Sequence, residues 1–169
     1  MIAANTIPFR AILTIAGQKR GADATHCRVV LGLLSTATAV RHAFRREFER
    51  LGLSELDFAV LVTLYAIAPE RSTLAAVAAQ TGSARPSMTE AADRLEGRAL
   101  IRRERATADR RRIFIELTDA GRSLAEQSLQ LTIEKAHQIG RAIGVHANEV
   151  LVEAFRRLDA AARGKPSAG

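Results

Sequence analysis

The chain has 169 residues, 47% of them hydrophobic, which is enough for a real core and excludes wholesale disorder. Aromatics make up only 4% and there is no Trp, so Ala and Leu carry the apolar load, a bias toward helices. Lys and Arg number 25 against 18 Asp and Glu, a formal charge of +7 that is almost all Arg, and this favours an anionic partner. One cysteine, Cys27, excludes an internal disulfide framework and any cysteine-cluster zinc site. No apolar run reaches membrane-spanning length, the first residues do not read as a signal peptide, and a reducing cytoplasm is the expected compartment.

Residues 1–25 read as an N-terminal extension: a short helix capped by Thr6, with Pro8 in its first turn and an end at Gly17, then a linker. From Cys27 apolar residues recur at helical spacing (Val30, Leu33, Leu34, Ala37, Val40, Phe44, Phe48, Leu51), and Gly52 ends that helix. Ser54 caps the next, with Asp57 in the capping-box position, an apolar face of Phe58, Leu61, Val62 and Tyr65, and a stop at Pro69. A short third helix follows Ser72 and breaks at Gly82. A fourth runs from about Ser83 to Arg98 and buries one narrow stripe: Met88, Ala91, Ala92 and Leu95.

The period then changes from helical to alternating. Leu100–Arg105 and Ile113–Leu117 read as two strands around a polar turn. Thr118 caps a long helix through Leu124, Leu131, Ile139 and Ile143, and an amphipathic helix carrying Val150, Leu151, Ala154, Phe155 and Leu158 closes the chain before a tail at 164–169. The fold class expected is mainly α with a small β-hairpin wing: a winged helix-turn-helix lobe (54–118) plus a helical dimerisation region (26–53 and 119–163).

Two short helices meeting at a glycine turn, with a basic hairpin behind them, form the arrangement that sets a helix into the DNA major groove. The fourth helix offers Ser83, Arg85, Ser87, Thr89, Glu90 and Arg94 on its polar side, and Arg85 near its start suits a guanine contact. The hairpin holds Arg98, Arg102, Arg103, Arg105, Arg110, Arg111 and Arg112 against only Glu104 and Asp109. A slender Arg-bearing turn fits the minor groove, with Asp109 placed to brace Arg111.

The runs Arg94-Leu-Glu-Gly-Arg-Ala-Leu-Ile-Arg-Arg, Asp109-Arg-Arg and Ile113-Phe-Ile-Glu-Leu-Thr-Asp-Ala-Gly121 resemble the MarR (multiple antibiotic resistance regulator) family over about residues 27–163. The resemblance implies a homodimeric, sequence-specific regulator on a pseudo-palindromic duplex operator. In it the Ser83–Arg98 helix reads the major groove, and Asp109, Arg110 and Arg111 form the wing tip. Three departures stand out. Glu90 occupies a position often basic in the family, and Ala106 replaces an acidic residue. Ala99 replaces a glycine, which predicts a tighter, less left-handed turn there.

The resemblance also implies repression released by a small aromatic or lipophilic effector, with Arg41, Phe44, Phe48, Phe58 and Tyr65 as lining; plain core packing is the competing assignment for the rings. Cys27 near a helix start fits a peroxide sensor less well than an incidental thiol, because the surrounding aromatic pattern is missing. The four histidines lack paired ligand spacing, so no metal or cofactor is implied, and no catalytic set points to an enzyme. The alternatives left open are a winged-helix protein without an effector and a helical adaptor that has lost DNA binding.

Overall fold

The computed structural model describes residues 11–12, 14–15, 18, 24–68, 71–105 and 113–164. Thr6, Pro8, Pro69, Ala106, Asp109, Arg110, Arg111 and Arg112 lie outside the described residues. In chain order the elements are α1 (Ala24–Arg50), α2 (Glu55–Ile67), β1 (Ser72–Thr73), α3 (Leu74–Thr81), α4 (Arg85–Gly97), β2 (Ile101–Arg105), β3 (Ile113–Leu117), α5 (Asp119–Gly140) and α6 (Val145–Ala162). They form two compact units, Met1–Leu131 and Thr132–Gly169. Before α1, residues 11, 12, 14, 15 and 18 are helical; the expected stop at Gly17 lies outside the described residues.

The helix ends follow one physical device. At the end of α1, Gly52 N–H donates to Glu49 O (3.0 Å) and Leu53 N–H to Phe48 O (2.9 Å), while Gly52 takes the left-handed φ of 67° that this pattern requires. The hydrophobic pair that accompanies such a cap, Phe48 and Leu53, is buried. At the end of α3 the same pattern recurs, with Gly82 donating to Ala79 O (3.3 Å) and Ser83 to Ala78 O (2.9 Å). At the end of α4 it recurs again, with Ala99 donating to Glu96 O (2.8 Å), Leu100 to Leu95 O (2.9 Å), and Leu95 and Leu100 buried.

Ala99 therefore sits in the glycine position of this cap. Its φ is 55°, the one positive value on a non-glycine among the described residues. The expectation of a less left-handed turn is corrected: two backbone hydrogen bonds and the Leu95–Leu100 contact outweigh the strain on the alanine Cβ, which is about 1–2 kcal/mol. Replacing Ala99 by Gly relieves that strain and gives back part of it as unfolded-chain entropy. The expected net gain is about 0.5–1 kcal/mol, read as a rise in melting temperature; a fall would contradict the strained geometry.

Helix α2 begins at the expected capping box. Ser54 Oγ accepts from Asp57 N–H (3.1 Å) and Asp57 Oδ2 accepts from Ser54 N–H (2.9 Å). Its buried residues are Asp57, Val60, Leu61 and Leu64; of the Phe58–Leu61–Val62–Tyr65 face read from spacing, Leu61 is fully buried and the other three are half-buried. The helix packs against α1, α3, α4 and β3, so it is apolar on most sides and carries no single stripe. The narrow stripe expected on α4 is present: Met88, Ala91, Ala92 and Leu95 are all fully buried.

Helix α3 starts one residue later than expected, with Thr73 Oγ1 accepting from Ala76 N–H (3.2 Å). Ser72 and Thr73 form a third strand, giving a three-stranded antiparallel sheet in the order β1-β3-β2. Ser72 pairs with Ile115, and Ile101–Arg105 pair with Leu117–Ile113. Ile101 and Ile115 point inward onto the core.

The entry to α5 is docked on the turn after α4. Thr118 Oγ1 donates to Ala99 O (2.7 Å) and accepts from Gly121 N–H (3.0 Å), and Thr118 N–H donates to Leu100 O (3.1 Å). In the second unit, hydrogen bonds from Arg156 and Arg157 hold the exposed Glu153 carboxyl down at about 2. No described helix is long and apolar enough to cross a membrane.

Candidate nucleic-acid interface

Helix α4 follows α3 across the Gly82 turn. Ala84 precedes it in an extended conformation without a side-chain cap, and Pro86 occupies its first turn, where a missing N–H costs nothing. The buried Met88–Ala91–Ala92–Leu95 stripe fixes its rotation. Ser83 is half-buried, and Arg85, Ser87, Thr89, Glu90, Asp93 and Arg94 are exposed.

The two flanks of this outer face are tied down. On one side, Arg94 donates to Asp57 Oδ1 (2.9 Å), a carboxylate only 6% exposed. On the other, Arg103 of β2 donates to Asp93 (2.6 Å), and its Nε lies 3.3 Å from Glu96. Ser83 Oγ accepts from Thr81 Oγ1 (3.1 Å), and Thr89 Oγ1 donates to Arg85 O (3.1 Å). The side chains of Arg85, Ser87 and Glu90 have no hydrogen bond or ion pair among the described residues.

The hairpin's positive charge is distributed differently from what its sequence suggests. Arg98 donates to the carbonyls of Gly52 (2.6 Å) and Leu51 (3.2 Å), satisfying acceptors at the end of α1. Arg102 pairs across the strands with Glu116, and the hydrogen bond from Arg102 holds that carboxyl below its ordinary range. Arg71 pairs with Glu104 and lies 3.6 Å from Glu116. So Arg98, Arg102 and Arg103 brace the fold, and the tip residues Asp109, Arg110 and Arg111 fall outside the described segment.

Sequence reasoning missed these braces. Arg94 and Asp57 stand 37 residues apart, and Arg98 and Gly52 stand 46 apart. No local spacing signals such pairs. The one available hint was the capping-box Asp57, whose second carboxylate oxygen is left needing a donor.

The candidate effector residues divide. Phe48 and Phe58 stack with ring centroids 4.1 Å apart, and Phe44, Phe58 and Tyr65 pack against the core. Tyr65 donates to Glu126 (3.0 Å), and this hydrogen bond, then burial, raises its pKa. Arg41 alone among the five lines a groove of 770 Å³ between α1 and the start of α2, beside His42, Arg45 and Leu56. There Arg41 Nε donates to both carboxylate oxygens of Glu55 (2.9 and 3.0 Å), which holds Glu55 low. Cys27 is partly buried and free.

Comparison with known proteins places this geometry. A sequence model of the family described as transcriptional regulator SarA/Rot matches residues 44–128, half of the chain. The HTH-type transcriptional repressor YetL of Bacillus subtilis (strain 168) is 29% identical over 107 residues, 63% of this chain and 64% of the repressor's own length. Among solved structures, AbsC, a MarR family transcriptional regulator from Streptomyces coelicolor, superposes with a TM-score of 0.70 at 20% identity, over 88% of this chain and 100% of that one. The transcriptional repressor CouR, bound to a 23-mer DNA duplex, superposes with a TM-score of 0.69 at 22% identity, over 84% and 99% of the two chains. The chain belongs to the SarA/Rot family of transcriptional regulators, a family of regulators and not of enzymes, and carries the winged helix-turn-helix fold of the MarR regulators.

Proposed function

We propose that the chain is a sequence-specific repressor that binds duplex DNA as a homodimer, with α4 in the major groove and the wing tip in the adjacent minor groove. The observation that carries this reading is the outer face of α4. Its flanks are committed to Asp57 and Arg103, while Arg85, Ser87 and Glu90 have no partner among the described residues and lie on an exposed surface. A helix held rigidly by its edges loses little freedom on docking. Arg85 suits a guanine edge, Ser83, Ser87 and Thr89 suit phosphates or base edges, and Arg94 keeps donors for phosphate beyond the one given to Asp57. Asp109, Arg110 and Arg111 make the minor-groove contact in this reading. The DNA-bound state of CouR supports it.

A second copy of the chain is the proposed cover for apolar side chains on α1 and α6. Val29, Val30 and Leu34 are 45–54% exposed on the first, and Val150, Val152 and Phe155 are 46–70% exposed on the second. Residues 26–53 and 119–163 are the proposed dimerisation region, and 54–118 the proposed DNA-binding lobe. Release by a small aromatic or lipophilic effector belongs to the same reading. The groove carrying Arg41 is its proposed seat, and an anionic effector there competes with Glu55 for the guanidinium.

The test is Arg111→Ala in gel-shift titrations on duplex DNA at physiological salt. The expected outcome is weaker binding, by more on A/T-rich duplexes whose narrow minor groove attracts Arg, with thermal stability unchanged because the sequence around Arg111 is polar and offers no apolar core to lose. Binding as tight as wild type would remove the wing from the interface.

A further inference from the structure

Glu90 is a carboxylate out of place. It sits mid-helix on the exposed face of α4, beyond the first turn where the helix dipole favours an acid. Its ordinary helical partner stands four residues on, at Arg94. That guanidinium is turned away, and donates to Asp57 from the other side of the chain's fold. Arg103 of β2 is taken by Asp93 and Glu96 of the same helix. Among the described residues the Glu90 carboxylate has no hydrogen bond or ion pair. On a face that meets polyphosphate, a free carboxylate lowers affinity unless something on the DNA donates to it.

The major groove supplies few donors. A carboxylate only accepts, so it is repelled by the O6 and N7 acceptors of guanine and by O4 of thymine. Adenine offers its N6 amine beside the N7 acceptor, while cytosine offers its N4 amine without a neighbouring acceptor on the same base edge. We propose that Glu90 is a specificity-determining residue of α4 that accepts a hydrogen bond from the N4 amine of one cytosine per half-site. The same carboxylate weakens binding to every sequence that lacks this cytosine, because it then lies desolvated against acceptors. Selectivity is gained at the expense of general affinity. Ser87, one turn back on the same stripe, is short enough to leave the carboxylate clear access to the groove.

This inference rests on the reading of α4 as the recognition helix. The test selects duplexes from a randomised library with the full-length chain and with Glu90→Gln and Glu90→Ala. The residue is exposed and has no partner among the described residues, so all three proteins fold, and matching melting curves check this. Wild type is expected to select a half-site with one fixed C·G pair. Glu90→Gln is expected to change that position toward A·T, since an amide pairs with adenine N6 and N7, by about tenfold in relative affinity. Glu90→Ala is expected to lose discrimination there alone and to bind random duplex more tightly. Unchanged preferences in Glu90→Gln, with uniformly tighter binding, would overturn the inference and leave α4 as the reading helix. If wild type selects no sequence at all, the recognition-helix reading itself fails.

Discussion

Replacing Gly121 by Ala is expected to lower the melting temperature by about 10 °C, corresponding to about 3 kcal/mol of lost stability. An ordinary glycine-to-alanine change inside a helix goes the other way, gaining about 1 kcal/mol from helix propensity. Here the steric effect is the larger. A Cβ on Gly121 stands 1.8 Å from the carbonyl oxygen of Leu100 and 2.8 Å from its carbonyl carbon, and both are backbone atoms. They cannot move aside as a flexible side chain does, because Leu100 is held at both ends. Its N–H donates to Leu95 O (2.9 Å) and its carbonyl accepts from Thr118 N–H (3.1 Å). The Leu-Thr-x-x-Gly run at 117–121 thereby has a physical meaning. Thr118 stitches the start of α5 to the turn after α4, and Gly121 lets the helix approach that turn to contact distance. A melting temperature equal to or above wild type would show that the approach is looser than described.

The second large effect is at Asp57. Its two carboxylate oxygens are used separately, one on Ser54 N–H and one on Arg94. Asp57→Ala removes a helix cap, about 1 kcal/mol, and one charge-assisted hydrogen bond of about 1.5–3 kcal/mol. Arg94 is half exposed and is re-solvated by water when released, so the lower end applies to the pair. The expected loss is about 2–3 kcal/mol in all. Asp57→Asn keeps an acceptor for the cap and loses the charge, so its melting temperature falls between those of wild type and Asp57→Ala. Equal melting of Asp57→Asn and Asp57→Ala would mean that the cap carries nothing. The same ion pair fixes the angle of α4, so Asp57→Ala also weakens DNA binding although Asp57 itself is 4% exposed and cannot touch DNA.

Local chemistry made most of the winged lobe legible in the sequence. The Ser54–Asp57 capping box, the glycine ends at Gly52 and Gly82, the Met88–Leu95 stripe and the Thr118 cap are all patterns whose members stand within seven residues of one another. What stayed hidden was non-local or too short to have a period. Strand β1 is two residues long, and its existence depends on Ile115 and Phe114 of β3. Ala99 adopts a glycine conformation because Leu95 and Leu100 are buried together, which no propensity at position 99 expresses. The arginines of the hairpin count as one basic cluster in sequence, yet partners at positions 51, 52, 93, 96 and 116 tie Arg98, Arg102 and Arg103 to bracing work. The family resemblance offered Phe48 and Phe58 as pocket lining with core packing as the competing assignment, and the two rings stack on each other.

The central claim is that two copies of this chain grip duplex DNA through a pair of α4 helices. Nuclease footprinting of the full-length chain on its selected duplex, with light scattering of the same complex, tests it most directly. The account predicts two protected half-sites related by a two-fold axis and about one helical turn apart, two chains per duplex, and affinity that falls steeply with salt as phosphate counterions are released. A single unsymmetrical protected site bound by one chain, or affinity indifferent to salt, would contradict it.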